Sequence, residues 1–249
     1  MSMSIETKRA GKLYGVGVGP GDPELVTIKT VRILGEAQVI AYLAARAKPS
    51  NARRAIAAYL RADHIEVPMF YPVTTEKLPP PFSYEDALTT FYDESAATLA
   101  QHLDAGRDVV VLCEGDPFFY GSFMYYYHRL AERYETEVVP GVCSVVASAA
   151  VLGAPLVHQT QTLSVISGVL SAEALTKKLH ECDAAAIMKL GSNFKKVRDV
   201  LDTLNLSSRA LYVERATMEA QKVLTLSEVD PTTVPYFSMI IVPGHWNGR

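Results

Sequence analysis

The stretch CEGDPFFYGS, residues 113–122, follows the apolar run DVVVL at 108–112 and precedes helix-like sequence from Phe123 to Tyr134. A short aliphatic run bounded by turn residues is typical of a buried strand. In open α/β sheets, ligands bind at the carboxyl ends of parallel strands, where this Gly-Asp-Pro turn is expected. The turn offers bare backbone and little charge, which favours a cofactor held by main-chain groups over one held through phosphates.

The composition indicates a soluble protein with a sizeable core. The chain has 249 residues, of which 49% are hydrophobic and 20% charged, enough for one large domain or two modest ones. A formal net charge of −3 gives no indication of a nucleic-acid partner. Cys113, Cys143 and Cys182 form no CxxC pair and no metal-ligand spacing, so we expect no metal site and reduced thiols in the cytoplasm. The polar amino terminus lacks a signal-peptide core, and no apolar run approaches the ~18 residues that span a bilayer.

Strands and helices alternate along the first part of the chain. The predicted strands are 13–18, 38–43, 64–67, 109–113 and 136–139, and the predicted helices are 27–34, 52–60, 83–105 and 123–134. Ser83 followed by Asp86 indicates a capping box at the start of the third helix. A long proline-rich loop is predicted between Pro68 and Pro81. This alternation predicts a largely parallel sheet with helices on its faces.

The second part of the chain has a different pattern, because its last three predicted strands are not separated by predicted helices. The predicted strands are 163–167, 184–189, 210–214, 223–226 and 237–242, and the predicted helices are 144–152, 172–181 and 193–204. We therefore expect an α/β protein of two domains, the first with a mostly parallel sheet and the second with a mixed one. The domain change is placed near 140–155, giving domains 1–140 and 141–249.

The glycines near the amino terminus do not form a dinucleotide fingerprint. Gly15, Gly17, Gly19 and Gly21 alternate, but GxGxxG would need its third glycine at Pro20 or Asp22. No acidic residue occurs between Glu36 and Asp63, so the ribose-binding carboxylate of NAD domains and of the common S-adenosylmethionine (SAM) domains is missing. A Walker loop is also absent from the sequence. The glycines either allow close packing at a tight strand exit or line a binding cleft.

The same interval is a local positive patch. Residues 37–62 contain Arg46, Lys48, Arg53, Arg54 and Arg61 and no carboxylate. One interpretation is a solvated helix face. The other is a docking surface for a polyanionic ligand, since the planar arginine fork binds carboxylates bidentately.

Three segments together resemble the tetrapyrrole methyltransferases, the class III SAM-dependent enzymes. They are GVGPGDPELVT at 17–27, EGDPFFYGS at 114–122 and VPGVCS at 139–144, with a weaker fourth, ERATMEAQ, at 214–221. The resemblance runs from about residue 12 to about 244. The proline-rich insertion before Ser83 and the Met188-Lys189 pair make the chain most similar to the C-20 methyltransferases of cobalamin synthesis.

The resemblance implies a homodimer with SAM in a cleft between two domains. The first domain would face the tetrapyrrole and carry the Gly-Asp-Pro loop, and the second would complete the SAM site. Cys143 and Ser144 stand where the family usually has Thr-Ala or Ser-Ser. The residues that the resemblance places against SAM, or its product S-adenosylhomocysteine, are Pro20, Gly115, Asp116, Pro117, Phe118, Tyr120, Cys143, Ser144, Lys189, Leu190, Ala216 and Met239.

The activity that the resemblance implies is methyl transfer to C-20 of precorrin-2, which gives precorrin-3A. Arg46, Arg53 and Arg54 are expected to bind the substrate, which carries eight carboxylates. Methylation of cobalt-factor II is the first alternative, and another substrate, such as uroporphyrinogen III or a diphthamide precursor on a protein, is the second. A non-catalytic nucleotide-binding module is disfavoured by the missing ribose-binding carboxylate.

No catalytic residue is assigned from the sequence. Four side chains near the motifs could accept the C-20 proton, namely Asp116, His64, Glu114 and Tyr120. Aspartate before proline commonly fixes a turn, so an architectural role is expected for Asp116.

Overall fold

The computed structural model describes residues 9–45, 49–72 and 83–245. The chain divides into two compact units, Met1–Cys143 and Ser144–Arg249, each built on its own five-stranded sheet. The division lies beside the predicted boundary at 140/141. The functional roles predicted for the two domains stay predictions.

The first unit contains the parallel sheet that the sequence predicts. Its strands are β1 (Leu13–Gly17), β2 (Val39–Ala44), β3 (Ile65–Phe70), β4 (Val109–Cys113) and β5 (Thr136–Val139). They lie in the order β3-β2-β4-β1-β5, and every pairing between them is parallel. The helices of this unit are α1 (Ile28–Glu36), α2 (Asn51–Ala55), α3 (Tyr84–Asp104) and α4 (Phe123–Leu130).

Strand β4 is buried along its whole length because helices cover both faces of the sheet. Val109, Val111 and Cys113 pack with residues of α3 and α4. Val110 and Leu112 pack on the opposite face with residues of α1 and α2. Side chains of a strand alternate between faces. The buried strand predicted from the continuous apolar run is confirmed, and the structure shows a hydrophobic core on each of its faces.

Side-chain caps begin two helices of this unit, and the cap at Ser83 was predicted from the sequence. The Ser83 hydroxyl accepts a hydrogen bond from the Asp86 backbone N–H at 3.0 Å. Thr27 caps α1 by accepting from the Thr30 N–H at 3.2 Å. The buried Thr30 hydroxyl in turn donates to the Gly17 carbonyl at 3.3 Å, which ties α1 to the end of β1.

The loop predicted from Pro68 onward is wrong at its start. Pro68 lies inside β3, paired in parallel register with Tyr42. Strand β3 is at the edge of the sheet. Proline is tolerated on an edge strand because its missing N–H can face away from the ladder. The remainder of the predicted loop, residues 73–82, lies outside the described residues.

The second unit contains the predicted mixed sheet. Its strands are β6 (Leu163–Ser167), β7 (Ala184–Met188), β8 (Leu211–Glu214), β9 (Lys222–Leu224) and β10 (Ser238–Val242). In the order β6-β7-β10-β8-β9, only β6 and β7 are parallel, and β10 runs antiparallel to both of its neighbours. The helices are α5 (Ser144–Val151), α6 (Ala172–His180) and α7 (Phe194–Thr203). None of the helices in residues 9–45, 49–72 and 83–245 combines the length and the hydrophobicity that a membrane span requires.

Candidate functional site

Three loops meet at the carboxyl edge of the first sheet. They follow β1, β4 and β5, which are neighbours in the sheet, so their carboxyl ends lie side by side. The Gly115 N–H donates to the Gly19 carbonyl at 2.8 Å, and the Val18 N–H donates to the Cys113 carbonyl at 2.9 Å. These bonds join the amino-terminal glycine loop to the Gly-Asp-Pro loop.

Backbone approaches backbone at this point without room for a side chain. A Cβ on Gly17 would lie 2.5 Å from both the Gly115 oxygen and the Gly141 Cα. A Cβ on Gly141 would lie 2.1 Å from the Gly115 oxygen. Both distances are far below contact distance. Close packing therefore explains Gly17, and Gly115 has a φ of 66°, which glycine adopts without strain.

Asp116 joins the second loop to the third. Its Oδ1 accepts from the Phe118 N–H at 2.9 Å, and its Oδ2 accepts from the Gly141 N–H at 3.0 Å. Both carboxylate oxygens are engaged with backbone amides. This confirms the predicted architectural role of Asp116.

The other predicted cofactor residues of the first unit surround this loop cluster. Pro117 is buried, while Pro20 and Cys143 are half-buried. Phe118 and Tyr120 are exposed, and Tyr120 adopts a left-handed φ of 55°. The site therefore combines closely packed backbone with an accessible aromatic rim.

In the second unit, the predicted cofactor residues gather at one edge of the sheet. Strands β7 and β8 end at this edge and the antiparallel β10 begins there. Lys189 directly follows β7, Ala216 follows β8, and Met239 lies in β10 opposite Val213. Leu190 is fully buried in the core of the unit, so only its backbone is available to a ligand. Ser144 is the first residue of α5.

The arginines of the positive patch do not form one open surface. Arg53 pairs with Glu66 through Nε–Oε2 at 2.5 Å and Nη2–Oε1 at 2.8 Å, and holds the pKa of Glu66 below its ordinary value. Arg61 pairs with Asp63 and donates to carbonyls at the end of α1. Within the described residues, Arg54 is exposed and makes no ion pair. Arg46 lies outside the described residues.

The four proton-acceptor candidates lie in different environments. His64 precedes β3 at the amino-terminal edge of the sheet, opposite the Gly-Asp-Pro loop, and its ring contacts the Arg61 N–H and the Leu34 carbonyl. Glu114 directly follows β4 and has an exposed side chain. Although the residue as a whole is exposed, burial of its carboxyl end raises the pKa of that carboxyl, and a hydrogen bond with the Ala52 backbone N–H opposes this rise. Of the two carboxylates among these candidates, only Asp116 accepts backbone hydrogen bonds on both of its oxygens.

Residues 12–230 match the profile of the family described as Tetrapyrrole (Corrin/Porphyrin) Methylases. The chain belongs to the tetrapyrrole methylase family. It is 44% identical over 239 residues to the precorrin-2 C(20)-methyltransferase of Sinorhizobium sp, covering 96% of this chain and 97% of that protein. It is 47% identical over 234 residues to the cobalamin biosynthesis protein CobIJ of Mycobacterium tuberculosis, covering 94% of this chain. The alignment spans only 46% of CobIJ, so the chain matches about half of that relative's length.

A solved structure of the same family shows the same fold. The uroporphyrin-III C-methyltransferase of Thermus thermophilus, complexed with S-adenosylhomocysteine, superposes with a TM-score of 0.64 at 26% identity. The match covers 93% of this tetrapyrrole methylase and 97% of that chain.

The residues of this tetrapyrrole methylase fit a sulfonium cofactor. The three loops, residues 17–23, 113–122 and 139–143, contain no lysine or arginine but include Asp22, Glu114 and Asp116. A phosphate-bearing nucleotide would lack a cationic partner in these loops, whereas a positively charged sulfonium meets no repulsion. Gly115 has no side chain to block an approach to its backbone.

We expect Gly141→Ala to disrupt the loop cluster. The added Cβ would meet the Gly115 carbonyl, which is backbone and cannot rotate away. The matched control is Gly35→Ala in the last turn of α1. A Cβ at this position meets nothing within 4 Å. Thermal unfolding should show a lower midpoint for Gly141→Ala. The midpoint of Gly35→Ala should be unchanged or higher, because replacing a helical glycine by alanine can add up to about 0.5–1 kcal/mol to the free energy of unfolding. Equal midpoints for the two variants would contradict the packing seen here.

Proposed function

We propose that this tetrapyrrole methylase transfers the methyl group of SAM to C-20 of precorrin-2, giving precorrin-3A in cobalamin synthesis. The observation that carries the proposal is the 44% identity that extends over 97% of a precorrin-2 C(20)-methyltransferase. The glycine-lined, cation-free loop cluster supports it, because such a site suits a cofactor bound mainly through backbone. Cobalt-factor II is the alternative substrate.

The cofactor is proposed to contact two sets of residues. In the first unit these are Pro20, Gly115, Asp116, Pro117, Phe118, Tyr120 and Cys143. In the second unit these are Ser144, Lys189, Leu190, Ala216 and Met239. Gly115 and Leu190 would act through backbone, since one has no side chain and the other's side chain is buried in the core.

The chain's contribution to the reaction is orientation. SAM supplies an activated methyl group, and transfer is an in-line displacement at an electron-rich carbon. Holding two reactants in line can supply ~7–11 kcal/mol of barrier reduction. The Asp116 clamp and the three touching backbones give the rigid loop cluster that such orientation needs.

Methylation of C-20 also releases a proton, and we propose that Glu114 accepts it. Asp116 is occupied by two backbone amides, and His64 lies at the opposite edge of the sheet. Glu114 lies beside Gly115, and the desolvation that raises the pKa of its carboxyl makes its carboxylate a stronger base.

Substrate binding is proposed to use Arg54 and Arg46, with Arg53 in a supporting role. Arg54 has an exposed guanidinium without an ion pair in the described residues, whereas Arg53 is held by Glu66. A carboxylate of the tetrapyrrole can pair with Arg54 without breaking an ion pair within the described residues. We also propose that the protein is a homodimer, as the family resemblance implies, and that it is cytoplasmic, as its separated cysteines predict.

The cofactor and substrate assignments are tested by binding and mass measurement. Titration calorimetry with S-adenosylhomocysteine should show binding, and its absence would refute the methyltransferase assignment. Incubation with SAM and precorrin-2 should add the mass of one methyl group to the tetrapyrrole. A parallel incubation with cobalt-factor II distinguishes the two substrates, and faster turnover of the cobalt-loaded ring would favour the alternative.

The two arginines should respond differently to charge reversal. Arg54→Glu should raise the KM for the tetrapyrrole about tenfold or more, with the S-adenosylhomocysteine affinity and the unfolding midpoint unchanged. Arg53→Glu should lower the unfolding midpoint, because it places a second carboxylate against Glu66. Steady-state kinetics and thermal unfolding of both variants check this. A KM unaffected by Arg54→Glu would remove that residue from the substrate site.

Glu114→Gln should lower kcat without weakening S-adenosylhomocysteine binding. General bases contribute roughly 10²–10⁴-fold to rate, so a loss of about 10²-fold or more is expected. Only the ionised carboxylate can accept a proton, so kcat of the natural protein should fall as the pH drops through the raised pKa of Glu114. A pH–kcat profile measures both effects. An identical acidic limb in Glu114→Gln would assign the proton to another group.

A further inference from the structure

Glu214 is a buried carboxylate at the last residue of β8. Its side chain is only 10% exposed. The Tyr212 hydroxyl donates to Oε1 at 2.9 Å, and Arg215 Nη1 donates to Oε2 at 3.2 Å. Burying a charge costs free energy unless it is paired and hydrogen-bonded. Glu214 has both kinds of partner, one on each oxygen.

The turn that follows Glu214 is strained. Arg215 has a φ of 48° and Thr217 a φ of 68°, both in the left-handed region. A β-branched residue such as Thr217 is a true outlier there. Such a residue costs conformational free energy and persists only where the surroundings determine its conformation.

Side chains on both sides anchor this turn. Glu214 binds the Arg215 guanidinium from the strand that precedes the turn. Gln221, the residue before β9, accepts from the Thr217 N–H through its Oε1 at 2.7 Å. Three backbone bonds also restrain the turn: Arg215 N–H to the Phe237 carbonyl at 2.8 Å, Met218 N–H to the Arg215 carbonyl at 2.9 Å and Gln221 N–H to the Met218 carbonyl at 3.0 Å.

The strained turn lies at the sheet edge that holds the proposed cofactor residues of the second unit. Glu214 is paired in register with Ser238, which precedes Met239. Ala216 lies inside the turn. Lys189, which follows the other neighbour of β10, also has a left-handed φ, at 57°. Strained backbone of this kind is found preferentially where a ligand is bound.

We propose that Glu214 and Gln221 are positioning residues that hold the Arg215–Thr217 turn in its cofactor-binding form. The proposal rests on the proposed function, because it takes SAM as the ligand of this edge. Neither residue needs to touch the cofactor. Their effect is to restrain the turn before binding, so that the cofactor does not bear the entropic cost of ordering it.

The two anchors can be removed separately. Glu214→Gln keeps an oxygen for Tyr212 but removes the charge that binds Arg215. Gln221→Ala removes only the acceptor of the Thr217 N–H, and Gln221→Glu restores an acceptor oxygen. The matched control is Glu228→Gln, an exposed carboxylate of the same unit that caps another turn by accepting from the Thr225 N–H at 2.8 Å.

Calorimetry with S-adenosylhomocysteine should show about tenfold weaker binding for Glu214→Gln and Gln221→Ala, near-natural binding for Gln221→Glu, and no change for Glu228→Gln. The KM for SAM should rise while the KM for the tetrapyrrole stays constant.

Natural affinity in both anchor variants, even with a lower unfolding midpoint, would make the anchors purely structural and overturn the proposal. If Glu214→Gln does not fold, the S-adenosylhomocysteine affinity of Gln221→Ala tests the proposal by itself. No binding by the natural protein would instead overturn the proposed function, and this inference with it.

Discussion

The contact among the backbones at Gly17, Gly115 and Gly141 is the constraint on which the first unit's site depends. It brings the loops after β1, β4 and β5 closer together than any residue with a side chain allows. Asp116 secures the contact by accepting one backbone hydrogen bond within its own loop and one from Gly141. The buried Thr30 hydroxyl adds a further tie by binding the Gly17 carbonyl.

This arrangement has a chemical consequence. Loops that pack backbone against backbone, without lysine or arginine, are suited to a ligand recognised by main-chain groups and carrying positive charge. Membership of the tetrapyrrole methylase family is consistent with that chemistry. In the second unit, a buried glutamate and a glutamine make hydrogen bonds to a turn with left-handed backbone. In each unit, hydrogen bonds within the chain restrain the shape of these loops.

Much of the fold was predictable from the sequence because its signals are local. The run Val109–Cys113 predicted a buried strand, and Ser83 predicted the start of α3. The extent of β3 was not predictable in this way, because whether Pro68 can join a strand depends on whether that strand lies at a sheet edge. The ion pair between Arg53 and Glu66 was also not predictable, because Glu66 lies in another element, outside the acid-free interval 37–62.

By itself, the sequence determined the two α/β units, the family motifs and the absence of phosphate-binding cations from the three loops. Only the tertiary structure decided that Asp116 is a clamp, that Arg53 is occupied while Arg54 is open, and that Glu214 anchors a strained turn. The difference has a physical reason. Strand and helix signals arise from neighbouring residues, whereas the role of a charged side chain is set by the partners that folding brings within hydrogen-bond distance.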